Sequence, residues 1–195
     1  MKKACFYLAV LTALLAVFLA TFPQGVRVSS ASWVVTHPTV VNLETYSVVG
    51  KPTVSASFIN EVLSAYGSPA AGLGQDLYND GVHLGIDPVY TLAFFLHEDR
   101  MGTTGWGAVN HSLGNTRCTA GYQCRGGYRA YASWSAGFWD WFNLVRVQYV
   151  NVWHLATVDQ IIPVYAPGSD HNDVQGYIAA LKAAVDAWRS GLVEV

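Results

Sequence analysis

Downstream of residue 55 the apolar residues recur at helical spacing through most of the chain. Phe58, Ile59, Val62, Leu63 and Tyr66 fall three and four apart, which puts them on one face of a helix. Ser55 or Ser57 offers the cap, and Gly67-Ser68-Pro69 the stop. A second helix is predicted over 70–82, with Leu73, Leu77 and Tyr78 inward, ending at His83-Leu84-Gly85. Asp87-Pro88 is a strong start signal, because the carboxylate can accept from unpaired amides and proline suits the first helical position. This third helix is read over 88–99, with Gly102 ending it. Ser133 or Ser135 then caps an aromatic helix through Trp139, Phe142, Leu144, Val145 and Tyr149. A short helix over 158–164 and a last one over 172–190 follow. Between these helices, 102–129 is glycine-rich and irregular, too long for an idle connection in a compact domain. The pattern predicts a mainly α domain with an irregular or small β-hairpin central segment.

Upstream the pattern changes. Met1-Lys2-Lys3 is a basic head, 4–22 is an uncharged apolar run, Pro23-Gln24-Gly25 breaks it, and Ser29-Ser30-Ala31 has the small-x-small form of a cleavage site. Residues 1–31 therefore read as an export signal; the run is also long enough to serve as an uncleaved N-terminal anchor. Either way the remainder is expected outside the cytoplasm, secreted or cell-wall-associated, with the membrane touched only through this segment. Residues 32–54, rich in Val, Thr and Ser, read as an extended linker, either a stalk or an edge strand, and 55–195 as the compact domain. Cys5 lies in the signal, which leaves Cys118 and Cys124 as an even pair. A disulfide closing that short loop is the expectation for an oxidising compartment; a zinc site would want C-x2-C spacing and a second pair.

Composition sharpens this reading. The 195 residues are 52% hydrophobic and 12% charged, with 11 basic against 13 acidic side chains. Such a balance holds no basic surplus for a phosphate backbone, so nucleic acid is excluded as the expected partner. An aromatic share of 13% excludes a disordered chain. Loss of Lys2, Lys3 and Arg27 with the signal would leave 8 basic against 13 acidic, a net charge of −5. Charge therefore stays scarce in the domain itself.

Against that background Glu98 stands out. It closes a helix whose preceding run, Val89-Tyr90-Thr91-Leu92-Ala93-Phe94-Phe95-Leu96, is uncharged, and it shares a face with Thr91, Phe94 and Phe95. The negative end of the helix dipole, the adjacent Asp99 and apolar surroundings all disfavour its ionised form. A carboxyl protonated near neutral pH is what a general acid needs to protonate a glycosidic oxygen. The plainer reading is a surface pair, Glu98 and Asp99 solvating a helix end beside Arg100. His97-Glu98 invites a zinc-peptidase comparison, but Met101 stands where the second histidine of H-E-x-x-H belongs. No metal and no other cofactor is expected.

A wider pattern surrounds Glu98. Leu92-Ala93-Phe94-Phe95-Leu96-His97-Glu98 is followed by Gly102, Gly105-Trp106-Gly107 and Asn110-His111-Ser112-Leu113-Gly114-Asn115. Further on come Tyr128-Arg129-Ala130-Tyr131-Ala132-Ser133 and Tyr165-Ala166. Over 55–188 this order and spacing resembles the peptidoglycan endo-β-N-acetylglucosaminidases of glycoside hydrolase family 73. In that family a helix ends in a catalytic Glu, a Gly/Trp turn follows, an Asn-x-x-x-Gly segment lines the cleft and a Tyr-Ala motif precedes the last helix.

The resemblance implies a lysozyme-like helical fold that hydrolyses the bond after N-acetylglucosamine in peptidoglycan glycan strands. Glu98 would be the general acid. Tyr165 would stand by the cleft with a hydroxyl orienting water or the acetamido group, or else be a core ring satisfied locally. Asn110 and Tyr131 would shape the cleft. One departure is plain: Trp134-Ser135-Ala136-Gly137 stands where many relatives carry an acidic residue, so a second carboxylate is missing there. Asp140, Asp170 and the substrate's own acetamido group are the substitutes, and the stereochemical course stays open. Independently of any family, sugars call for flat rings beside neutral hydrogen-bonding groups. Trp106, Tyr122, Tyr128, Tyr131 and Trp134 cluster in the central stretch with Asn110, Ser112, Asn115 and Gln123, whereas Trp139, Trp141, Phe142 and Trp153 read as core. Arg117, Arg125 and Arg129 either meet wall-peptide carboxylates or form a solvated loop face. Two other functions fit the same residues: a muramidase or lytic transglycosylase on the same fold, and a non-catalytic cell-wall-binding module.

Overall fold

The computed structural model describes residues 46–195, so the predicted export segment 1–31, Cys5 and the first part of the predicted linker, 32–45, lie outside the described residues. The described chain is mainly helical, with seven α-helices and one small antiparallel hairpin.

Helix α1 (Ala56–Ala65) starts where Ser55 Oγ accepts from the Phe58 amide, and it buries Ile59, Val62 and Leu63. Helix α2 (Gly74–Leu84) begins later than the pattern suggested. Residues 70–73 form turns instead, and Asn60 Oδ1 accepts from the Gly72 and Gly74 amides, tying that turn to α1. Gly85 closes α2 in the left-handed region at φ 64°. Helix α3 (Pro88–Asp99) matches the sequence reading, with Asp87 Oδ1 accepting from the Val89 amide at its start. It is the central element: every residue from Pro88 to Phe95 is buried. Helix α5 (Trp134–Asn143), capped by Ser133, packs its rings on one side of α3, with Phe95 against Phe138 at 5.8 Å and Phe94 against Trp141 at 5.0 Å. Helix α7 (Val174–Arg189) packs on another side through Tyr177 and Phe94. Helix α6 (Val158–Tyr165) lies against α7 and is opened by a capping box between Thr157 and Gln160.

Four differences from the sequence reading affect the site. Residues 46–54 are built into the domain: Val48 and Val54 are buried, Val48 N donates to Ala156 O at 2.8 Å, and Asp87 N donates to Val48 O at 2.9 Å. The backbone thus finds partners that a solvated linker would leave to water. The irregular central stretch holds a short helix, α4 (Gly105–Asn110), ahead of the hairpin β1 (Cys124–Arg125) and β2 (Tyr128–Arg129). The aromatic helix continues past α5 as a π-helical segment, Leu144–Val152. Trp139 and Trp153 are half-exposed, unlike Trp141 and Phe142 in the core. Cys118 and Cys124 form a disulfide beside the hairpin.

Candidate active site

The packing of α3 determines where Glu98 ends up. A helix clamped on several sides cannot turn its last carboxyl freely to water. The chain reverses immediately after it, with Arg100 and Met101 at φ 53° and 59° and Gly102 at 79°. Two non-glycine residues in succession in the left-handed region are uncommon and are held here by specific bonds. The Arg100 and Met101 amides donate to Leu96 O and Phe95 O, and Ser68 Oγ donates to Met101 O at 2.7 Å.

Glu98 opens on a cleft of about 790 Å³, within the range of small-molecule sites. Tyr177 Oη donates to Glu98 Oε1 at 2.5 Å. Asn115 Nδ2 donates to the Glu98 backbone carbonyl at 3.1 Å and lies 3.4 Å from Oε2. Burial pushes the Glu98 carboxyl above its ordinary pKa, and the Tyr177 and Asn115 bonds oppose this in part. No cation pairs with Glu98 among the described residues.

Tyr165 lines the cleft with its ring, but its hydroxyl is engaged inside the fold. It donates to Gly114 O and accepts from Trp141 Nε1 at 3.3 Å. A Cβ on Gly114 would collide with that hydroxyl and the Trp141 ring, so glycine is required for this approach. Of the expected sugar-binding residues, Tyr128 on β2 lines the cleft. Trp106 instead lies on the backbone of Gly126 at the hairpin turn. Asn110 is buried and donates to Arg125 O at 3.1 Å, joining α4 to the hairpin. Tyr131 donates to Asp140 Oδ2 at 2.6 Å. These three hold the hairpin lobe in place, outside the cleft lining.

The carboxylates separate in the same way. Asp99, next to Glu98, is buried away from the cleft against Gly107, with Oδ1 accepting from the Gly102 amide at 2.7 Å. Asp140 is committed to Arg129 at 2.9 Å as well as to Tyr131. Asp170, in the 3-10 turn Gly168–Asp170, is the other carboxylate that lines the cleft, and it pairs with Arg117 at 2.9 Å. Arg129 is an interior cation, stacked over Tyr122 at 3.7 Å; Arg125 is exposed.

Two cleft residues escaped the sequence reading. Trp153, 45% exposed, stands on the cleft wall with Tyr149 edge-to-face beneath it at 4.9 Å. Tyr177 is buried, and its ring stacks on His97 at 3.6 Å. Its spacing from Ile178 and Leu181 marks it in sequence only as a core ring. Among the described residues no three His, Cys, Asp or Glu side chains are grouped to hold a metal ion. No family model matches the chain, and no curated protein matches it.

Proposed function

We propose that the chain is an exported glycoside hydrolase, an endo-β-N-acetylglucosaminidase that cleaves peptidoglycan glycan strands with Glu98 as general acid. One observation carries the reading: a carboxyl with no cationic partner, held above its ordinary pKa by burial, at the wall of a cleft large enough for sugar rings. A raised pKa leaves more of the carboxyl protonated at a given pH, with a proton to give to a leaving oxygen. The cleft lining suits a neutral sugar face, with Trp153, Tyr128 and the Tyr165 ring beside Thr116, Thr119 and Asn172. The motifs around Glu98 and their resemblance to family 73 supply the bond choice, and the lysozyme-like description rests on the same resemblance. The disulfide fits a location outside the cytoplasm, secreted or wall-associated.

Protonating the leaving oxygen is half of the reaction. A developing oxocarbenium ion then needs a nucleophile or an activated water on its other face. Asp170 is the second carboxylate on the cleft lining and one source of that assistance, and the acetamido oxygen of the substrate is the other.

Purified cell walls, followed by turbidity, provide the test. Glu98→Gln, shown to be folded, should lose at least about a hundredfold in rate, the scale of general acid catalysis. Wild-type clearing by that variant rejects the assignment. Mass spectrometry of the fragments reads the bond: reducing-end N-acetylglucosamine supports this proposal, reducing-end N-acetylmuramic acid a muramidase, an anhydro product a lytic transglycosylase. Co-sedimentation with walls and no fragments would mark a binding module.

A further inference from the structure

The Tyr177 hydroxyl is 2.5 Å from Glu98 Oε1 and comes from α7, a different helix from the one that carries the acid. Glu98 is its hydrogen-bond partner, with no second acceptor among the described residues. The phenol hydrogen therefore points at Oε1. An oxygen that already receives so short a bond is the poorer site for a proton. At Oε2 the donor, Asn115 Nδ2, stands at 3.4 Å, a much longer and weaker bond. The two carboxyl oxygens of Glu98 are thus inequivalent.

We propose that Tyr177 is a positioning residue that fixes Oε2 as the oxygen carrying the transferable proton of Glu98. The inference rests on the general-acid reading above. Tyr177 can do this because it is itself immobile: its ring is stacked at 20° on His97 and packed against Phe94 at 5.9 Å. Without such an anchor a carboxyl can rotate and exchange its two oxygens, so that only part of the population presents the proton productively.

The other groups around Glu98 do not duplicate the contact. From α3, His97 faces the Tyr177 ring and Asp99 turns toward Gly107. From α6, the Tyr165 hydroxyl is spent on Gly114 O and Trp141. Asp170 and Arg117, also at the cleft, pair with each other. Asn115 reaches the Glu98 main chain more closely than its carboxyl.

Tyr177→Phe removes the donor and keeps the ring. The bond favours ionised Glu98, so its loss raises the carboxyl pKa, and the alkaline limb of the pH–rate profile should move up by about one pH unit. Replacement of Tyr177 by 3-fluorotyrosine, a stronger donor of nearly the same size, should move the limb below wild type. Carbon-13 NMR titration of the Glu98 carboxyl reads the same two shifts without turnover. Opposite displacements in the two variants support the role. An unmoved Glu98 titration in both folded variants overturns it, even if Glu98→Gln is inactive. Activity retained by Glu98→Gln rejects the general-acid reading instead, and the role of Tyr177 as its positioning residue with it.

Discussion

Asp99→Asn tests whether this part of the molecule is as dry as its packing implies. Asp99 is 2% exposed; Oδ1 accepts from the Gly102 amide, and Oδ2 is buried without a partner. Burial pushes its pKa from 3.8 up to about 8, the neighbouring Glu98 adding to the rise and the Gly102 amide opposing it. Below about pH 4 the carboxyl is protonated in both folded and unfolded chains and contributes no pH dependence. Above that the unfolded chain releases its proton and the folded one keeps it, so stability falls as pH rises, by about 1.4 kcal/mol per unit for one full proton. Continued to about pH 8, this amounts to about 5 kcal/mol, comparable with the whole stability of an ordinary domain. Asparagine cannot ionise and preserves the acceptor for Gly102, and its unpaired amide nitrogen takes the place of an acid hydroxyl that is itself unpaired. The variant should therefore be close to wild type in stability at pH 4 and the more stable protein at pH 8. Urea denaturation followed by tryptophan fluorescence across that range measures both curves, and their difference cancels the other titrating groups. Parallel curves would show that Asp99 ionises in the folded state and that the reasoning from burial is wrong.

The cleft yields two further tests. Trp153→Ala should raise KM on soluble wall fragments about tenfold and leave kcat little changed, because the ring offers stacking area and touches no reacting atom; an unaltered KM excludes Trp153 as a platform. Asp170→Asn breaks an exposed ion pair and should hardly move Tm, since both partners are solvated. If Asp170 activates water, kcat falls by about two orders of magnitude; an unchanged kcat assigns that role to the substrate's acetamido group.

Sequence legibility varied with how local the deciding interaction was. The bounds of α3 follow from Asp87, Pro88 and an uncharged run, all adjacent in the chain, whereas the partial burial of Glu98 lies between the two readings its local sequence allows. Helix α4 was hidden because Gly105-Trp106-Gly107 reads as loop. Its Gly107 is required by the Asp99 side chain packed against it, a contact that no local pattern reveals. Trp153 reads as core in sequence because it lies next to a predicted helix. The π-helical segment ahead of it carries an extra residue per turn, so the side chains that follow no longer hold ordinary helical spacing, and the ring stands on the cleft wall. Clustering in sequence and the family resemblance both point Trp106, Asn110 and Tyr131 to the cleft. Hydrogen bonds and packing within the hairpin lobe claim them first.

The scarcity of charge acquires a mechanism from the pairing pattern. Two deeply placed carboxylates have a cation and further donors: Asp87 meets Arg189 at 3.1 Å together with Thr53 and the Val89 amide, and Asp140 meets both Arg129 and Tyr131. Glu98 meets only neutral donors. A buried carboxylate given a guanidinium stays ionised and serves as structure; one given neutral donors alone retains its proton more readily. A chain richer in lysine and arginine would offer cations to every interior acid and lose that distinction. In this chain Arg189 is held by Asp87, and of the two arginines that line the cleft Arg129 is held by Asp140 and Arg117 by Asp170. Asp99 lacks a cation too but is buried against Gly107, so what separates Glu98 from the structural carboxylates is the lack of a cationic partner combined with a place on the cleft wall.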